Sequence, residues 1–399
     1  MTHKPLDGIK VLDFTNVLAG PTCTMLLANM GAEIIKLERP GCGDDSRAYG
    51  PHINGQSVYF TSINRGKKSV VCNTKTEAGR QVFLKLVEKV DVVIENIKPG
   101  GMLRMGLDYE SLKNINPRMI YVSISGFGAT GPWSLRPCYD MIVQAMGGMM
   151  SITGQPGGDP VRVGTSIGDI MGGTYAAMGA LGALYQRAVT GLGQKVDISL
   201  LDCQVAILEN AVARYSSTGF IPGPLGMRHA LITPFEGFKT KDRILIIAAG
   251  NDNLFTRLCR VIGLPELCSD ERFLTNASRT DHVDELRELL EARLADKAAD
   301  EWMEILLAED IPCGAINTVD KLFENPQLTA RNMLVEVVQP GIGKLSVAGN
   351  PIKYSRVPTE EEIPHDPAPA VGQHTREILV DLLGYTSEEA DAYIEEFMN

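Results

Sequence analysis

A chain of 399 residues exceeds what one hydrophobic core usually organises, so two domains are expected. Apolar residues make up 44% and charged residues 22%, an ordinary globular composition. A formal charge of −11 argues against a nucleic-acid surface, and no apolar run approaches the ~20 residues that span a bilayer. The opening residues Met1–Leu6 lack a signal peptide's apolar stretch, and the eight cysteines are scattered without a CxxC pair. Reduced thiols in a cytoplasmic protein are expected, not a disulfide framework. The six histidines form no HExxH or other close pair, so no metal is expected.

The first half alternates strand and helix signals. Ile9–Phe14, Glu33–Leu37, Ser69–Cys72, Asp91–Glu95 and Met119–Ile124 read as strands. Helices are expected over Thr22–Met30, stopped by Gly31, and over Glu77–Val90. Near-continuous β-branched runs separated by helices imply a parallel sheet covered on both faces. Ligands of such sheets bind beyond the carboxyl ends of the strands. Those ends offer Arg39, Lys75, Lys98 and nearby Arg104, a group of cations in an acidic chain. Any one of them, taken alone, is more often a solvated loop charge.

A Met- and Gly-rich segment, residues 141–158, precedes Asp169 and a helix over Ile170–Arg187 rich in glycine and alanine. Strand Lys195–Ser199 and a helix over Leu200–Tyr215 follow, then a Gly- and Pro-rich linker, Thr218–Gly226. Beyond it Phe235–Lys239 and Ile244–Ala249 flank a turn and read as an antiparallel hairpin. Helices near 253–262, 283–294 and 299–309, followed by the stretch Ile311–Ile316, complete a smaller α/β unit. After an acidic, Pro-rich tail comes a last helix over Thr375–Leu383.

Glu38 stands where a ribose-binding acid would, but the turn Asn16–Pro21 lacks the GxGxxG cradle, which disfavours a nicotinamide oxidoreductase. Asp169 reads on spacing alone as the N-cap of a helix starting at Ile170. A helix start is also expected to keep a carboxylate ionised, as a nucleophile requires, and Gly168, Gly172 and Gly173 clear side-chain bulk around it. His374 reads as structural, while His229 sits on the interdomain linker.

The ordered set Pro5–Phe14, Ala19–Pro21, Gly31–Arg39, Asn96–Gly100 and Ser125–Gly128 resembles the class III CoA-transferases, the carnitine dehydratase and bile-acid-inducible family. Gly168–Asp169, Thr190–Gln194, Ile311–Gly314 and Gly372–Thr375 extend the resemblance along nearly the whole chain. It implies an α/β fold: a Rossmann-like parallel-sheet large domain with an inserted smaller α/β domain, in an interlocked homodimer. On that basis residues 1–200 form the CoA-binding large domain and 201–230 a linker. Residues 231–325 form the small domain, and 326–399 the return linker with the C-terminal part of the large domain. The resemblance makes Asp169 the nucleophile and places CoA contacts at Leu18, Arg39, Cys72, Lys75, Asn96, Lys98, Arg104 and Tyr139. It implies CoA and acyl-CoA as substrates, no tightly bound cofactor, and transfer to a carboxylic acid through aspartyl anhydride and aspartyl-CoA intermediates.

Two departures bear on substrate. The formyl-CoA branch carries glutamine where Leu18 stands and a glycine run before the small-domain hairpin; residues 222–229 here lack that run. The Gly226–His229 stretch resembles branches serving other dicarboxylates, with Arg228 and His229 as candidate contacts. An α-methylacyl-CoA racemase of the same fold and a non-catalytic CoA-binding protein remain alternatives. Racemases carry His-Asp where this chain has Tyr139-Asp140, and a phenol is a poor base near neutral pH.

Overall fold

The computed structural model describes residues 4–398. The chain divides into two compact units, one of Met1–Met150, Arg162–Phe220 and Pro326–Asn399, the other of Ser151–Val161 and Ile221–Asn325. The expected linker over 201–230 is largely structured: Leu200–Ala206 and Ala211–Thr218 are helices of the first unit. Residues 151–161, read as part of the large domain, belong instead to the second unit. Gly154 accepts a hydrogen bond from the Gly226 amide at 2.9 Å and so ties that segment to the chain entering the small unit.

The large unit is built on six parallel strands: β1 (Lys10–Phe14), β2 (Glu33–Glu38), β3 (Lys68–Val71), β4 (Val92–Glu95), β5 (Ile120–Ser125) and β6 (Lys195–Ser199), in the order β3-β2-β1-β4-β5-β6. Strand side chains alternate between faces. Leu12, Ile35 and Val93 enter one buried cluster, while their neighbours Val11, Ile34 and Val92 enter the other. Helix α1 (Ala19–Asn29) follows β1, and α2 (Glu77–Lys89) buries Val82, Phe83, Leu86 and Val87 against the first cluster. Helix α3 (Asp140–Met146) precedes the long α4 (Ile167–Thr190), and α5 (Leu200–Ala206) follows β6. Helices α1 and α4 lie so close that a Cβ on Gly173 would stand 2.5 Å from the Ala19 carbonyl oxygen. The small residues of α4 are what let the two backbones approach.

The small unit has an antiparallel sheet of β7 (Phe235–Lys239), β8 (Ile244–Ala248) and β9 (Cys313–Ala315), with β8 central. Helices α6 (Asp252–Ile262), α7 (Val283–Leu294) and α8 (Ala299–Ala308) cover it around buried Phe238, Phe255 and Trp302. The chain then returns to the large unit through a hairpin, β10 (Leu334–Gln339) and β11 (Gly343–Ala348), that no alternation signal had singled out.

The C-terminal segment closes the exposed edge of β3. His374 Nδ1 accepts from the Ser69 amide at 3.1 Å, and Thr375 Oγ1 accepts from the Val71 amide at 3.0 Å. Tyr393, on α9 (Ser387–Met398), donates to the Val71 carbonyl at 3.1 Å. Edge amides that would otherwise template another strand are thereby occupied. The expected helix over Thr375–Leu383 is one α-turn followed by a π-turn, Ile378–Leu382.

Beneath the sheet's carboxyl end lies a buried charge network. Lys36 pairs with Asp44 at 2.8 Å and donates to the Thr15 carbonyl at 2.8 Å, with Asp13 3.9 Å away. Lys67 bonds Asp13 at 3.0 Å, Thr24 at 2.7 Å and Asn64 at 2.9 Å. Burial works against the charge on Asp13, but Lys36 and Lys67 outweigh it and hold the carboxyl well below the usual range. Asp13→Asn leaves two buried ammonium groups short of a counter-charge. It should cost about 3–5 kcal/mol in urea denaturation at pH 7. Since Asp13 is depressed on folding, its contribution is present above an unfolded pKa of about 3.9 and fades below it, so the deficit should narrow in acid. A midpoint unchanged at pH 7 would show that the network contributes nothing to stability.

Candidate functional site

The strand order reverses between β1 and β4, so the loops leaving these strands diverge and open a crevice. The loops are joined reciprocally: the Asn16 amide donates to Asn96 Oδ1 at 2.9 Å, and Asn96 Nδ2 donates to the Asn16 carbonyl at 2.9 Å. Val17 is held at φ 66°, a left-handed conformation that is costly for a β-branched residue. Its amide is fixed by Asp44 Oδ1 at 3.1 Å, so the buried charge network below sustains the strained turn above.

A cavity of about 370 Å³ opens at this point. Leu18, Asn96, Lys98, Tyr139 and Asp169 line it, brought together from four separate segments of the chain. Sequence reasoning missed Asp45, Arg136 and Cys138, which share the wall. Asp45 opens the short 3-10 helix Asp45–Ala48, while Arg136 and Cys138 sit on an irregular loop with no periodicity to mark them; the guanidinium of Arg136 rests over the Trp133 ring at 4.6 Å.

Four expected contacts do not line the cavity. Arg39 is committed to Asp45 and to the Gly43 carbonyl at 3.0–3.1 Å. Cys72 is buried in the core, its thiol directed at the Gly79 carbonyl and its amide bonded to the Glu38 carbonyl at 2.8 Å. Lys75 is exposed on the loop after β3, and Arg104 is exposed on the short helix Gly101–Met105 that follows β4. Glu38 is no ribose ligand. It is buried and spent on Arg47 at 2.7 Å, Ser69 at 2.6 Å and the Asp44 amide at 2.9 Å. His229 and Arg228 belong to the small unit, where the His229 ring stacks on Phe235 at 5.4 Å and Nδ1 accepts from the Leu231 amide.

Asp169 is not an N-cap. Ser166 occupies that position, and Asp169 is the third residue of α4, inside the first turn. Nor does the helix start keep it ionised as expected. Burial, with the charge of Asp140 adding to it, lifts the carboxyl from an ordinary 3.8 up to about 7. The buried Asp140 Oδ1 already takes the Gly168 amide at 2.8 Å. Two neighbours carry the same signature. Burial and then the Asp169 charge push the Tyr59 phenol up to about 12 and the Cys138 thiol up to about 11. Gly168 and Gly172 have no room for side chains: a Cβ would meet Asp140 at 2.9 Å in one case and Leu200 at 2.2 Å in the other. No group of three or more His, Cys, Asp or Glu among the described residues is placed to hold a metal ion. No helix among them is long and apolar enough to cross a membrane.

The raised Asp169 has a signature independent of any activity. Between pH ~4 and ~7 the folded chain holds this proton while the unfolded chain has lost it, so folding stability falls as pH rises through that window. Asp169→Asn removes the titration. Its melting temperature should exceed that of the native chain by more at pH 7.5 than at pH 4.5; a gap that does not widen would place Asp169 in an ordinary solvated environment.

CoA-transferase family III matches residues 6–375 of the chain. The acetyl-CoA:oxalate CoA-transferase of Acetobacter aceti is 45% identical over 91% of this chain and 92% of its own length. The succinyl-CoA:glutarate CoA-transferase of Mus musculus is 42% identical over 96% of this chain and 87% of its own. Among solved structures, a CaiB/BaiF family protein from Brucella suis superposes with a TM-score of 0.82 at 39% identity, over 95% of this chain and all of that one. With the resemblance in the strand-end motifs, the six-strand parallel sheet and these relatives in agreement, the chain belongs to CoA-transferase family III.

Proposed function

We propose that this enzyme moves CoA from an acyl-CoA to a dicarboxylic acid, with Asp169 as covalent nucleophile. The observation that carries the reading is the half-buried Asp169 carboxylate in a cavity whose walls also hold Lys98 and Arg136. The naming of relatives for oxalate and glutarate supports a dicarboxylate acceptor. Each step exchanges one bond at an acyl carbon. The Asp169 carboxylate attacks the donor thioester, the C–S bond breaks, and a mixed anhydride and CoA thiolate result. The thiolate attacks Cγ of Asp169, releasing the donor acid and leaving an aspartyl-CoA thioester. The acceptor carboxylate displaces the thiolate to give a second anhydride. The thiolate then attacks the acceptor's carbonyl and frees Asp169. Because only the ionised carboxylate attacks, kcat/KM should rise with pH and level above about 7.

Lys98 and Arg136 fit the anionic parts of the substrates, CoA phosphates or the acceptor's second carboxylate. Leu18, Asn96 and Tyr139 would shape the pantetheine end. Arg39, Cys72, Lys75 and Arg104 would serve CoA from the outer rim or through backbone groups. No tightly held cofactor enters the scheme. All eight cysteines are unpaired, which supports a cytoplasmic location. A homodimer is also proposed: Met178, Tyr185 and Val189 form one exposed apolar stripe on α4, 59–76% accessible. Sedimentation equilibrium at micromolar concentration should return twice the 43.3 kDa chain mass, and a monomer there would refute the dimer.

Asp169→Ala should abolish CoA transfer from acetyl-CoA or succinyl-CoA to oxalate, glutarate and related diacids. Binding of CoA, followed by calorimetry, should persist. Turnover by the purified variant near the native rate would remove Asp169 from the mechanism. Rapid α-deuterium exchange into a 2-methylacyl-CoA, without transfer by the native enzyme, would replace the transferase reading with a racemase.

A further inference from the structure

Directly under the nucleophile, two buried side chains of α3 grip the segment that leads into α4. Gln144, with none of its surface exposed, accepts the Val163 amide at 2.9 Å on Oε1 and donates to Asp140 Oδ2 at 2.8 Å through Nε2. The other oxygen of Asp140 accepts the Gly168 amide at 2.8 Å, and Asp140 itself is 7% exposed. Asp140 and Gln144 are one helical turn apart and present both groups to the same face. The grip therefore spans residues 163 to 168 and ends one peptide before Asp169. Gly168 lies so close against α3 that a Cβ there would meet Val143 at 2.8 Å, so only glycine allows this approach.

We propose that Asp140 is a positioning residue for Asp169: with Gln144 it clamps Val163–Gly168 and fixes the backbone that carries the nucleophilic carboxylate. The clamp rests on the proposed nucleophile role. It gives Asp140 two effects on one neighbour. Its hydrogen bond to Gly168 sets where the Asp169 carboxylate stands, and its charge, facing that carboxylate, keeps it basic enough to attack a thioester near neutrality. The Tyr59 phenol from helix Val58–Asn64 and the Cys138 thiol also feel the Asp169 charge, and Tyr139, Asp45, Lys98 and Arg136 line the same cavity.

The test uses the full-length chain with two substitutions and two readouts. Asp140→Ala removes both hydrogen bonds and the charge; Asp140→Asn keeps an oxygen for the Gly168 amide while removing the charge and the acceptor for Gln144 Nε2. With succinyl-CoA and glutarate, Asp140→Ala should lose about 100-fold in kcat with the donor KM within about twofold, the cost of a misplaced reacting group. Asp140→Asn should lose less. The second readout is the titration midpoint of Asp169 without substrate, followed by carbon NMR of labelled aspartate and assigned by its disappearance in Asp169→Asn. That midpoint should fall by about one unit in Asp140→Asn. A kcat near the native value in Asp140→Ala, or an unmoved midpoint in Asp140→Asn, would overturn the proposal and leave Asp140 a helix-packing residue. Should Asp140→Ala fail to fold, the isosteric Asp140→Asn decides by its midpoint. Should the native enzyme transfer CoA between no pair of acids, the transferase reading fails, and the midpoint still judges the influence of Asp140 on Asp169.

Discussion

The buried pairing of Lys36 with Asp13 and Asp44 is the constraint on which the large unit's site depends. Three ionised side chains without access to water are tolerable only because each satisfies several partners at once. That requirement fixes geometry as much as stability. Lys36 holds the Thr15 carbonyl, Asp44 holds the Val17 amide, and Val17 is kept in a conformation its side chain resists. Hydrophobic packing alone would let this turn relax. The charges oblige it to keep the shape that, with the Asn16–Asn96 pair, opens the crevice at the strand-order reversal.

Above that rigid floor Asp169 presents a conflict between binding and reactivity. A carboxylate fully solvated near pKa 4 is a weak nucleophile; one buried without partners is protonated and does not attack at all. The environment here lies between these limits, about 7, because burial and the neighbouring Asp140 push in the same direction without complete exclusion of water. Such a group is destabilising in the folded chain, and functional sites commonly retain strain or charge of this kind at the expense of stability.

The C-terminal segment serves the same end by a different route. An open parallel sheet whose edge strand is β3 would expose amides at Ser69 and Val71. His374, Thr375 and Tyr393 occupy that edge from more than 300 residues away in sequence, which locks the return of the chain from the small unit into the sheet that carries the site. His374 therefore acts as a hydrogen-bond acceptor to a strand edge, with its ring buried enough to disfavour the charged form.

The parallel sheet was legible in the sequence because strands buried on both faces must be apolar without interruption, and Val11–Leu12, Ile34–Ile35 and Val92–Ile94 satisfy that requirement locally. The small-unit hairpin was legible for the same reason: turn chemistry between two β-rich runs is a local property. The motif set around Asp169, Asn96 and Lys98 identified the family because each motif sits at a strand end or a helix start. What sequence could not supply were properties that depend on distant partners. Spacing placed Asp169 at an N-cap, but the helix begins earlier, at Ile167, where packing against α1 and α3 makes room for it. A helix start predicted an ionised carboxylate; burial and the charge of Asp140, 29 positions earlier, decided otherwise. Glu38 stood where a ribose ligand belongs, yet Arg47 and Ser69 claim it. Arg136 and Cys138 joined the cavity from a loop without periodicity. Secondary structure follows from neighbours along the chain, whereas the charge state and direction of a polar side chain follow from desolvation and partners that only the folded chain brings within a few ångströms.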